Sequence, residues 1–518
     1  MRNIYITLIG LLFIIAFLPS CYKDDGNYDY TEVNGIEIDT SGFYINSSYY
    51  TVYPGDTIAL SPSIEYEHPE NLSYSWVLVP FPYEAEVVGN ATEWPAPDTI
   101  AHTLDLDWIV DVDPGGYRYY LEVKDTVTGL SKQIYPSYIN YLNVATAGSF
   151  YALMCLSEHE GQTDLGVYYT RLALIFSGDT DPQYYSNKYG HMIPGKPTLL
   201  GYGSEGYYYT FTDQGGLRLD KNDFLTMESF DELFYTVPQS NVQDYIDQKS
   251  QELLINDGKL HVLNNNLSND RKFSSAIAGD YKAFPYISSK DKYSDAGNSL
   301  CTLFDENSKS FVRYFSQGNN IVKYGAASSE AYVDPNNLPN IPLAILTYDY
   351  SKTCAIVKDE EGIIKAYLYN FLSEDDSDVS GNGSRSIIDL SNCENIDQAT
   401  MFYSGPSATA FHYATSDAIY TFSITSGANT ATKIYDLPQG EEVTCIYSLP
   451  MGGFPTAGRV YWFATWNEAS QDGSIVEFEI DPNSGEPSWF WGQMFGLDQP
   501  NPNVTNGFSK IKSMKVGI

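Results

Sequence analysis

From about Gly148 to its end the chain repeats one pattern: an apolar stretch rich in Tyr, Val and Ile, an acidic or polar turn, then a second apolar stretch. Seven aspartates mark these turns: Asp164, Asp213, Asp257, Asp305, Asp359, Asp417 and Asp472. Successive marks are roughly 44 to 58 residues apart, near the period of propeller blades. A small sheet cannot bury both of its faces alone, so such repeats must stack.

The repeat therefore predicts an all-β domain over residues 146–518, and the seven hairpins favour a seven-bladed β-propeller. An irregular pair of sandwiches is the alternative architecture. We expect residues 509–516, which alternate as an edge strand does, to close the domain. The segment from Asp220 to Asp247 is predicted to hold a short helix or two.

Residues 35–145 predict a separate β-sandwich, because short alternating strands are divided by turn residues. The clearest strands are 57–60, 72–78 and 117–123, and Trp76 is expected in the core. The motif Tyr74-Ser75-Trp76, followed by Gly116-Tyr117, Leu121, Val123 and Asp125, resembles a PKD-type immunoglobulin-like module. That resemblance implies a stiff spacer without functional residues of its own.

Residues 1–20 are predicted to be a signal peptide. Arg2 precedes an apolar run, 4–18, that is too short to span a bilayer comfortably. The run ends in Leu18-Pro19-Ser20-Cys21, which resembles the lipobox of bacterial lipoproteins and implies that Cys21 is acylated after cleavage. Residues 21–34 would then be a lipidated tether. An ordinary secretory signal that contains a cysteine is the alternative.

Lys23, Asp24 and Asp25 resemble the lipoprotein export signal of Bacteroidetes-type outer membranes, which implies an outer-membrane lipoprotein facing the cell exterior rather than the periplasm. The order of lipid signal, acidic tag, PKD-like module and long β domain resembles the PKD-like lipoproteins of those cells. The resemblance implies an accessory role beside a Sus-type pair, a TonB-dependent transporter and its lid lipoprotein.

The net charge bears on the partners that we expect, and the cysteines bear on the core. The 518 residues carry a formal net charge of −37, which repels phosphate backbones, so no nucleic-acid partner is expected. Apart from Cys21, five cysteines remain, an odd number with no CxxC spacing, and they are expected as small buried hydrophobes.

No catalytic motif is found. The six histidines form no His-Glu-x-x-His, and Gly201–Gly206 fits a dinucleotide pattern but precedes an expected strand instead of a helix. No cofactor or metal is therefore predicted. Structural calcium at the acidic loop 373–378, which leads to Gly381, is a weaker alternative to a solvated loop.

Aromatic residues are the most suggestive binding feature, with 45 Tyr and 7 Trp. The candidate binding aromatics are Trp466, Trp489, Trp491 and Tyr207. Packing in the seams between sheets is the alternative for most of them. The sequence thus predicts a non-enzymatic accessory subunit for nutrient uptake, with oligopeptide cargo favoured by the family resemblance. The alternatives are a glycan-binding protein of the same membrane and a propeller-fold hydrolase or lyase.

Overall fold

A computed structural model describes residues 35–39, 50–52, 54–81, 86–88, 91–93, 96–135, 142–144, 152–170, 180–203, 206–221, 223–248, 250–265, 270–289, 301–326, 334–349, 352–371, 384–405, 407–424, 429–448, 458–494 and 501–516. The signal and tether, with Cys21, Lys23, Asp24 and Asp25, lie outside these residues, as does the acidic loop 373–378. The chain divides into two compact units. Unit 1 comprises 1–50, 55–110 and 115–143, and unit 2 comprises 51–54, 111–114 and 144–518.

Unit 1 is built from antiparallel strands. They are β1 (Glu37–Asp39), β2 (Tyr50–Val52), β3 (Thr57–Leu60), β4 (Ser63–Glu65), β5 (Leu72–Pro80), β6 (Glu86–Val88), β7 (Ala91–Glu93), β8 (Asp98–Ala101), β9 (Leu106–Ile109), β10 (Gly115–Asp125), β11 (Ser131–Ile134) and β12 (Leu142–Val144). The main sheet has the order β2-β12-β10-β5-β8, with β11 also paired to β10, and three two-stranded sheets pair β1 with β4, β3 with β9, and β6 with β7.

The core of unit 1 forms where β5 and β10 pair. Trp76 lies opposite Leu121, both are fully buried, and the Trp76 indole donates to the Leu104 carbonyl at 3.2 Å. The predicted core position of Trp76 is confirmed. Asp125 ends β10 by accepting the backbone N–H of Val127 at 2.7 Å, and this interaction orders the turn after the strand.

Unit 2 contains seven antiparallel sheets of three or four strands among the described residues. Sheet 1 comprises β13 (Leu153–His159), β14 (Gln162–Tyr168) and β38 (Lys510–Val516); sheet 2 comprises β15 (Pro197–Gly203), β16 (Tyr207–Thr212), β17 (Gly215–Asp220) and β18 (Thr226–Ser229); sheet 3 comprises β19 (Val242–Asp247), β20 (Gln251–Asn256) and β21 (Lys259–Asn264); sheet 4 comprises β22 (Ser288–Ser289), β23 (Cys301–Asp305), β24 (Ser310–Phe315) and β25 (Asn320–Lys323). Sheet 5 comprises β26 (Ala344–Tyr348), β27 (Lys352–Lys358), β28 (Ile364–Tyr369) and β29 (Ser384–Asp389); sheet 6 comprises β30 (Met401–Ser404), β31 (Ala410–Ala414), β32 (Ala418–Ser423) and β33 (Thr432–Asp436); sheet 7 comprises β34 (Glu441–Ser448), β35 (Val460–Asn467), β36 (Asp472–Glu479) and β37 (Asn503–Phe508).

The seven aspartate-marked hairpins fall one in each sheet, so the all-β reading of this region and its hairpin spacing are confirmed. One of the seven predicted turn positions, Asp164, is wrong. Asp164 lies inside β14 and is fully buried, and the turn itself falls at Glu160-Gly161, where both residues have positive φ. Asp164 accepts hydrogen bonds from the backbone N–H of Leu165 and Ser186, so it serves the strand and the following helix instead of the turn.

The chain ends of unit 2 meet in sheet 1. Strand β38 pairs antiparallel with β13, which confirms residues 510–516 as the closing strand. At one edge of each sheet lies a strand that we call its inner strand: β38, β15, β19, β22, β26, β30 and β34. Contacts run from β34 to β38, on to β15 and to β19, and separately from β22 to β26, β30 and β34. Apart from sheets 3 and 4, successive sheets therefore meet along their inner strands.

Helices within the described residues are few and short. They are α1 (Tyr184–Tyr189), α2 (Phe490–Met494) and 3-10 turns at Pro69–Asn71, Phe230–Leu233 and Ile396–Gln398. The turn at Phe230–Leu233, with its Ser229 and Glu232 capping box, is the helix expected between Asp220 and Asp247. No helix in the described part of the chain is long and apolar enough to cross a membrane.

Side chains of the inner-strand region bind the backbone of the next sheet. The Asp244 carboxylate accepts the Ile287 N–H at 2.6 Å, and the Tyr286 hydroxyl accepts the Thr347 N–H at 2.9 Å. In the same way the Tyr403 hydroxyl accepts the Ser448 N–H at 2.7 Å, and the Tyr447 hydroxyl accepts the Val516 N–H at 3.3 Å. We call these four bonds the seam bonds. Each one satisfies an edge N–H that the next sheet's own ladder leaves unpaired.

Replacing Tyr403 with Phe is expected to destabilise unit 2 by about 1–3 kcal/mol, because the Ser448 N–H loses its acceptor in a buried seam. The measurement is the urea midpoint followed by tryptophan fluorescence. Tyr435→Phe is the matched control, because no hydrogen bond from that half-buried hydroxyl is described. Equal midpoints for the two variants would show that the seam bond contributes nothing.

Candidate functional site

Five titratable or polar side chains converge on the inner strands, and we call them the inner cluster: Asp244, Tyr286, Cys445, Tyr447 and Lys515. They come from β19, the segment just before β22, β34 and β38. All five are partly exposed to solvent, although each is surrounded by enough protein to shift its pKa.

Asp244 is the carboxylate of the inner cluster. One of its oxygens accepts the Tyr245 N–H at 2.9 Å and the other accepts the Ile287 N–H at 2.6 Å. Burial raises the pKa of Asp244 to about 6, against these two hydrogen bonds and the charge of Lys515, which lower it. Each oxygen keeps a second lone pair for a ligand donor.

Lys515 is the cation of the inner cluster. Burial lowers its pKa, and the nearby Asp244 and Cys445 oppose that shift. Its ammonium lies 5.6 Å from the centre of the Tyr447 ring. Within the described residues it forms no ion pair and donates no hydrogen bond, so all three of its N–H donors remain available.

The Tyr447 hydroxyl accepts one backbone N–H, and its own proton can still be donated. Burial raises the pKa of Tyr447 to about 12 and that of the Cys445 thiol to about 12, so both are neutral near pH 7. A protonated thiol is a poor nucleophile. The inner cluster is therefore equipped to hold a charged ligand by hydrogen bonds and not to attack one through Cys445.

Two of the four candidate binding aromatics, Trp466 and Tyr207, are buried, which corrects their prediction as binding residues. Trp466 is 6% exposed and its indole donates to Glu468 at 2.8 Å. Tyr207 is 3% exposed and its hydroxyl donates to Glu252 at 3.0 Å. Tyr209 and Tyr245 donate to the same buried Glu252 at 2.7 and 3.0 Å, so Tyr207 belongs to the seam between sheets 2 and 3. Seam packing, the alternative interpretation, describes Tyr207.

The segment Trp489-Phe490-Trp491 gives a mixed result. Trp489 is half-buried and packs against the apolar core between sheets 7 and 1, while the side chain of Trp491 lies outside the described residues. Phe490 is exposed at 49%, and it was not among the aromatics predicted from the sequence. The guanidinium of Arg459 lies over its ring, 5.1 Å from the ring centre.

Glu479 holds this segment in place. Its buried carboxylate accepts the backbone N–H of Phe490 at 2.6 Å and of Gly492 at 3.0 Å, two donors of the first turn of α2. A glutamate at the end of β36 therefore fixes the start of α2 and the exposed Phe490 ring beside it. The run of aromatics was the only feature of the sequence that pointed to the exposed Phe490. Nothing in the sequence indicated that Asp244 and Lys515 belong to one cluster.

A second buried carboxylate, Glu477, lies in the seam between sheets 7 and 1. It accepts hydrogen bonds from the Thr170 hydroxyl and, at 2.8 Å, from the Trp462 indole. Burial raises the pKa of Glu477 to about 7, against the hydrogen bonds from Thr170, Trp462 and Asn503, which lower it. Its proton therefore leaves near neutral pH, well above the ordinary range of a glutamate.

Because the pKa of Glu477 is higher in the folded state than in the unfolded state, protonation of Glu477 stabilises the folded state. The stabilising contribution is fully present below the unfolded pKa of about 4.5 and is lost as the pH rises through about 7, by about 3 kcal/mol in total. Glu477→Gln, which stays neutral, is expected to remove that loss, so its stability relative to wild type rises between pH 5 and pH 8. Urea unfolding across this range measures the difference.

The exposed Glu486, replaced by Gln, serves as the control for a lost carboxylate and should leave the pH profile unchanged. Parallel profiles for wild type and Glu477→Gln would contradict the assignment.

The match to a known protein family covers about the first third of the chain. Residues 21–197 match the model of a PKD-like family. No curated protein matches the chain. This PKD-like match agrees with the resemblance carried by Trp76 and the Gly116–Asp125 strand.

Among solved structures, the dihydro-heme d1 dehydrogenase NirN in complex with DHE matches with a TM-score of 0.35 and 9% identity, over 85% of this chain and 75% of that one. The N-terminal domain of Nup159 matches with a TM-score of 0.33 and 9% identity, over 57% of this chain and 78% of that one. A DUF4784 family protein from Bacteroides caccae matches with a TM-score of 0.29 and 9% identity, over 93% of this chain and 98% of that one. TM-scores this low carry no argument about function.

Proposed function

We propose that the chain is a non-enzymatic, lipid-anchored outer-membrane lipoprotein facing the cell exterior, and that it serves as an accessory binding subunit of a Sus-type, TonB-dependent uptake complex. The observation that carries the anchoring step is the position of the family match. It begins at residue 21, the cysteine that the lipobox marks as the first residue after cleavage. Cys21 would carry the lipid, with Lys23, Asp24 and Asp25 as the export tag.

Unit 2 is proposed to be a seven-bladed β-propeller with its sheets as blades. Three observations support this architecture: seven sheets of three or four strands, contacts between six of the seven pairs of successive inner strands, and the pairing of β38 with β13. In such a ring the inner strands surround the axis, which would place the inner cluster in the central channel.

Binding of cargo is favoured over catalysis by the chemistry of the inner cluster. Lys515 and Asp244 offer a donor and an acceptor of opposite charge in a partly desolvated place, which suits recognition of small charged groups. Oligopeptide cargo fits these groups, because a peptide carries an ammonium at one end and a carboxylate at the other.

Replacing Cys21 with Ala is expected to abolish incorporation of labelled fatty acid and to release the protein from the membrane fraction, because the thiol that carries the lipid is lost. Cys445→Ala is the matched control and should label normally, since that thiol lies within β34 of unit 2. Equal labelling of the Cys21→Ala variant would contradict the anchor.

Exposure and partners are tested on intact cells. Protease treatment should remove the wild-type protein, and mild detergent extraction should recover it with a TonB-dependent transporter and its lid lipoprotein. Protection from protease places it on the periplasmic face instead, and repeated isolation without a transporter argues against the accessory role.

Glycan capture is the second candidate function, and Phe490 favours it. An aromatic ring at 49% exposure, held by Glu479 and flanked by Arg459, is a surface on which a sugar can stack. Phe490→Ala should weaken retention in polysaccharide affinity gels several-fold, in line with about 1 kcal/mol for one stacking contact. Tyr235→Ala, at another exposed aromatic, is the control. Unchanged retention in the Phe490 variant would remove this candidate.

A further inference from the structure

Strand β10 of unit 1 has one buried side and one side that is open to solvent. Its buried residues alternate along the strand: Tyr119, Leu121, Val123 and Asp125. The residues between them are exposed or half-buried, and we call the side of the main sheet that they occupy its outer face: Arg118, Tyr120, Glu122 and Lys124. Successive side chains of a strand point to opposite sides of a sheet, so these four lie on the side away from the core.

A pair of tyrosines lies on the outer face. Tyr135, which follows β11, approaches Tyr120 with the ring centres 5.2 Å apart and the ring planes tilted by 47°. Tyr135 is 39% exposed and Tyr120 is half-buried. Within the described residues neither hydroxyl forms a hydrogen bond. Burial raises the pKa of Tyr120, and Glu122 and Tyr135 raise it further, so its hydroxyl remains a donor near pH 7.

Polar groups flank the tyrosine pair along β10. On one side Glu122 lies opposite the exposed Gln133 of β11, whose side-chain amide donates to the Glu122 carboxylate at 3.4 Å. On the other side the guanidinium of the exposed Arg118 lies 4.3 Å from the centre of the Phe81 ring. Residues on one side of a strand are spaced about 7 Å apart, so both polar groups are neighbours of Tyr120.

This combination of groups suits a sugar better than a protein or a nucleic acid. The centre of a protein interface is depleted in charged residues, whereas Arg118 and Glu122 lie directly beside the tyrosine pair. A nucleic acid would be repelled by the net charge of −37. A sugar ring has an apolar C–H face that can pack on an aromatic ring, and hydroxyls around its edge that both donate and accept hydrogen bonds.

We propose that the outer face of unit 1 binds a glycan, with one sugar ring packed on Tyr120 and Tyr135. The hydroxyls of that sugar donate to Glu122 and accept from Gln133 and Arg118. The inference gives a binding role to a module whose PKD resemblance implies a plain spacer. It concerns a different surface from Phe490, which lies in unit 2, and it requires neither the lipid anchor nor a transporter.

The test is affinity electrophoresis of the purified full chain in native gels that contain soluble starch, xylan, mannan or a β-1,3-glucan. Retardation by at least one of these polysaccharides is expected. Tyr135→Ala should raise the dissociation constant about fivefold, because one stacking contact is lost, and Tyr135→Phe should raise it less, because the ring remains. Gln133→Ala, a second change at an exposed side chain, should raise it about threefold through the loss of one hydrogen bond.

Two exposed side chains away from the outer face serve as matched controls, and both variants should bind as wild type does. Val127→Ala changes the turn after β10, and Tyr235→Ala removes an exposed aromatic of unit 2. Thermal unfolding checks that each variant is folded.

Retardation by none of the polysaccharides, or equal dissociation constants for wild type and Tyr135→Ala, overturns the proposal. If Phe490→Ala abolishes retardation and Tyr135→Ala leaves it unchanged, the glycan binds beside α2 and its assignment to the outer face is wrong. Either failure leaves the proposed anchor and the proposed transporter partner untouched, since those are tested on cells and membranes.

Discussion

The hydrogen bond that a backbone N–H of one sheet donates to a side-chain oxygen of the preceding sheet is the contact on which the seams of unit 2 depend. Each of its sheets has an edge with N–H groups that its own ladder does not use, and a buried unpaired N–H is unfavourable. Tyr286, Tyr403 and Tyr447 each place a hydroxyl on such a group across a seam. Because hydrogen bonds are directional, these contacts fix the register between sheets, whereas apolar packing alone fixes only their proximity.

The same geometry explains why polar groups collect on the inner strands. A side chain that satisfies the next sheet's edge must end in an acceptor, which tyrosine supplies at three seams and Asp244 at one. The tyrosine ring also contributes apolar surface to the seam. Asp244 differs because it carries a charge, so its seam bond brings a carboxylate into a place where burial raises the pKa to about 6. The seam bonds and the inner cluster therefore share three residues, Asp244, Tyr286 and Tyr447.

The sequence predicted the strands and turns better than it predicted what individual side chains contact. Alternating apolar residues and turn chemistry located the hairpins and the core position of Trp76, because both depend on neighbours close in the chain. Trp466 and Tyr207 were misjudged because a strand residue can face a seam or solvent, and alternation does not distinguish the two when sheets are covered on both faces. Asp164 was misjudged because its partners are the backbone of Leu165 and Ser186, and the latter lies in a helix that no periodicity marked.

The inner cluster could not be predicted for a related reason. Asp244 and Lys515 are separated by roughly 270 residues, and only the pairing of β38 with β13 brings the last strand next to the others. A contact between residues so distant in the chain forms only after most of the intervening sheets have taken their places, since it carries a large loop-closure entropy. The site is therefore complete only in a fully folded unit 2. A chain that lacks β38 retains Asp244 but loses Lys515, so the inner cluster depends on the last strand of unit 2.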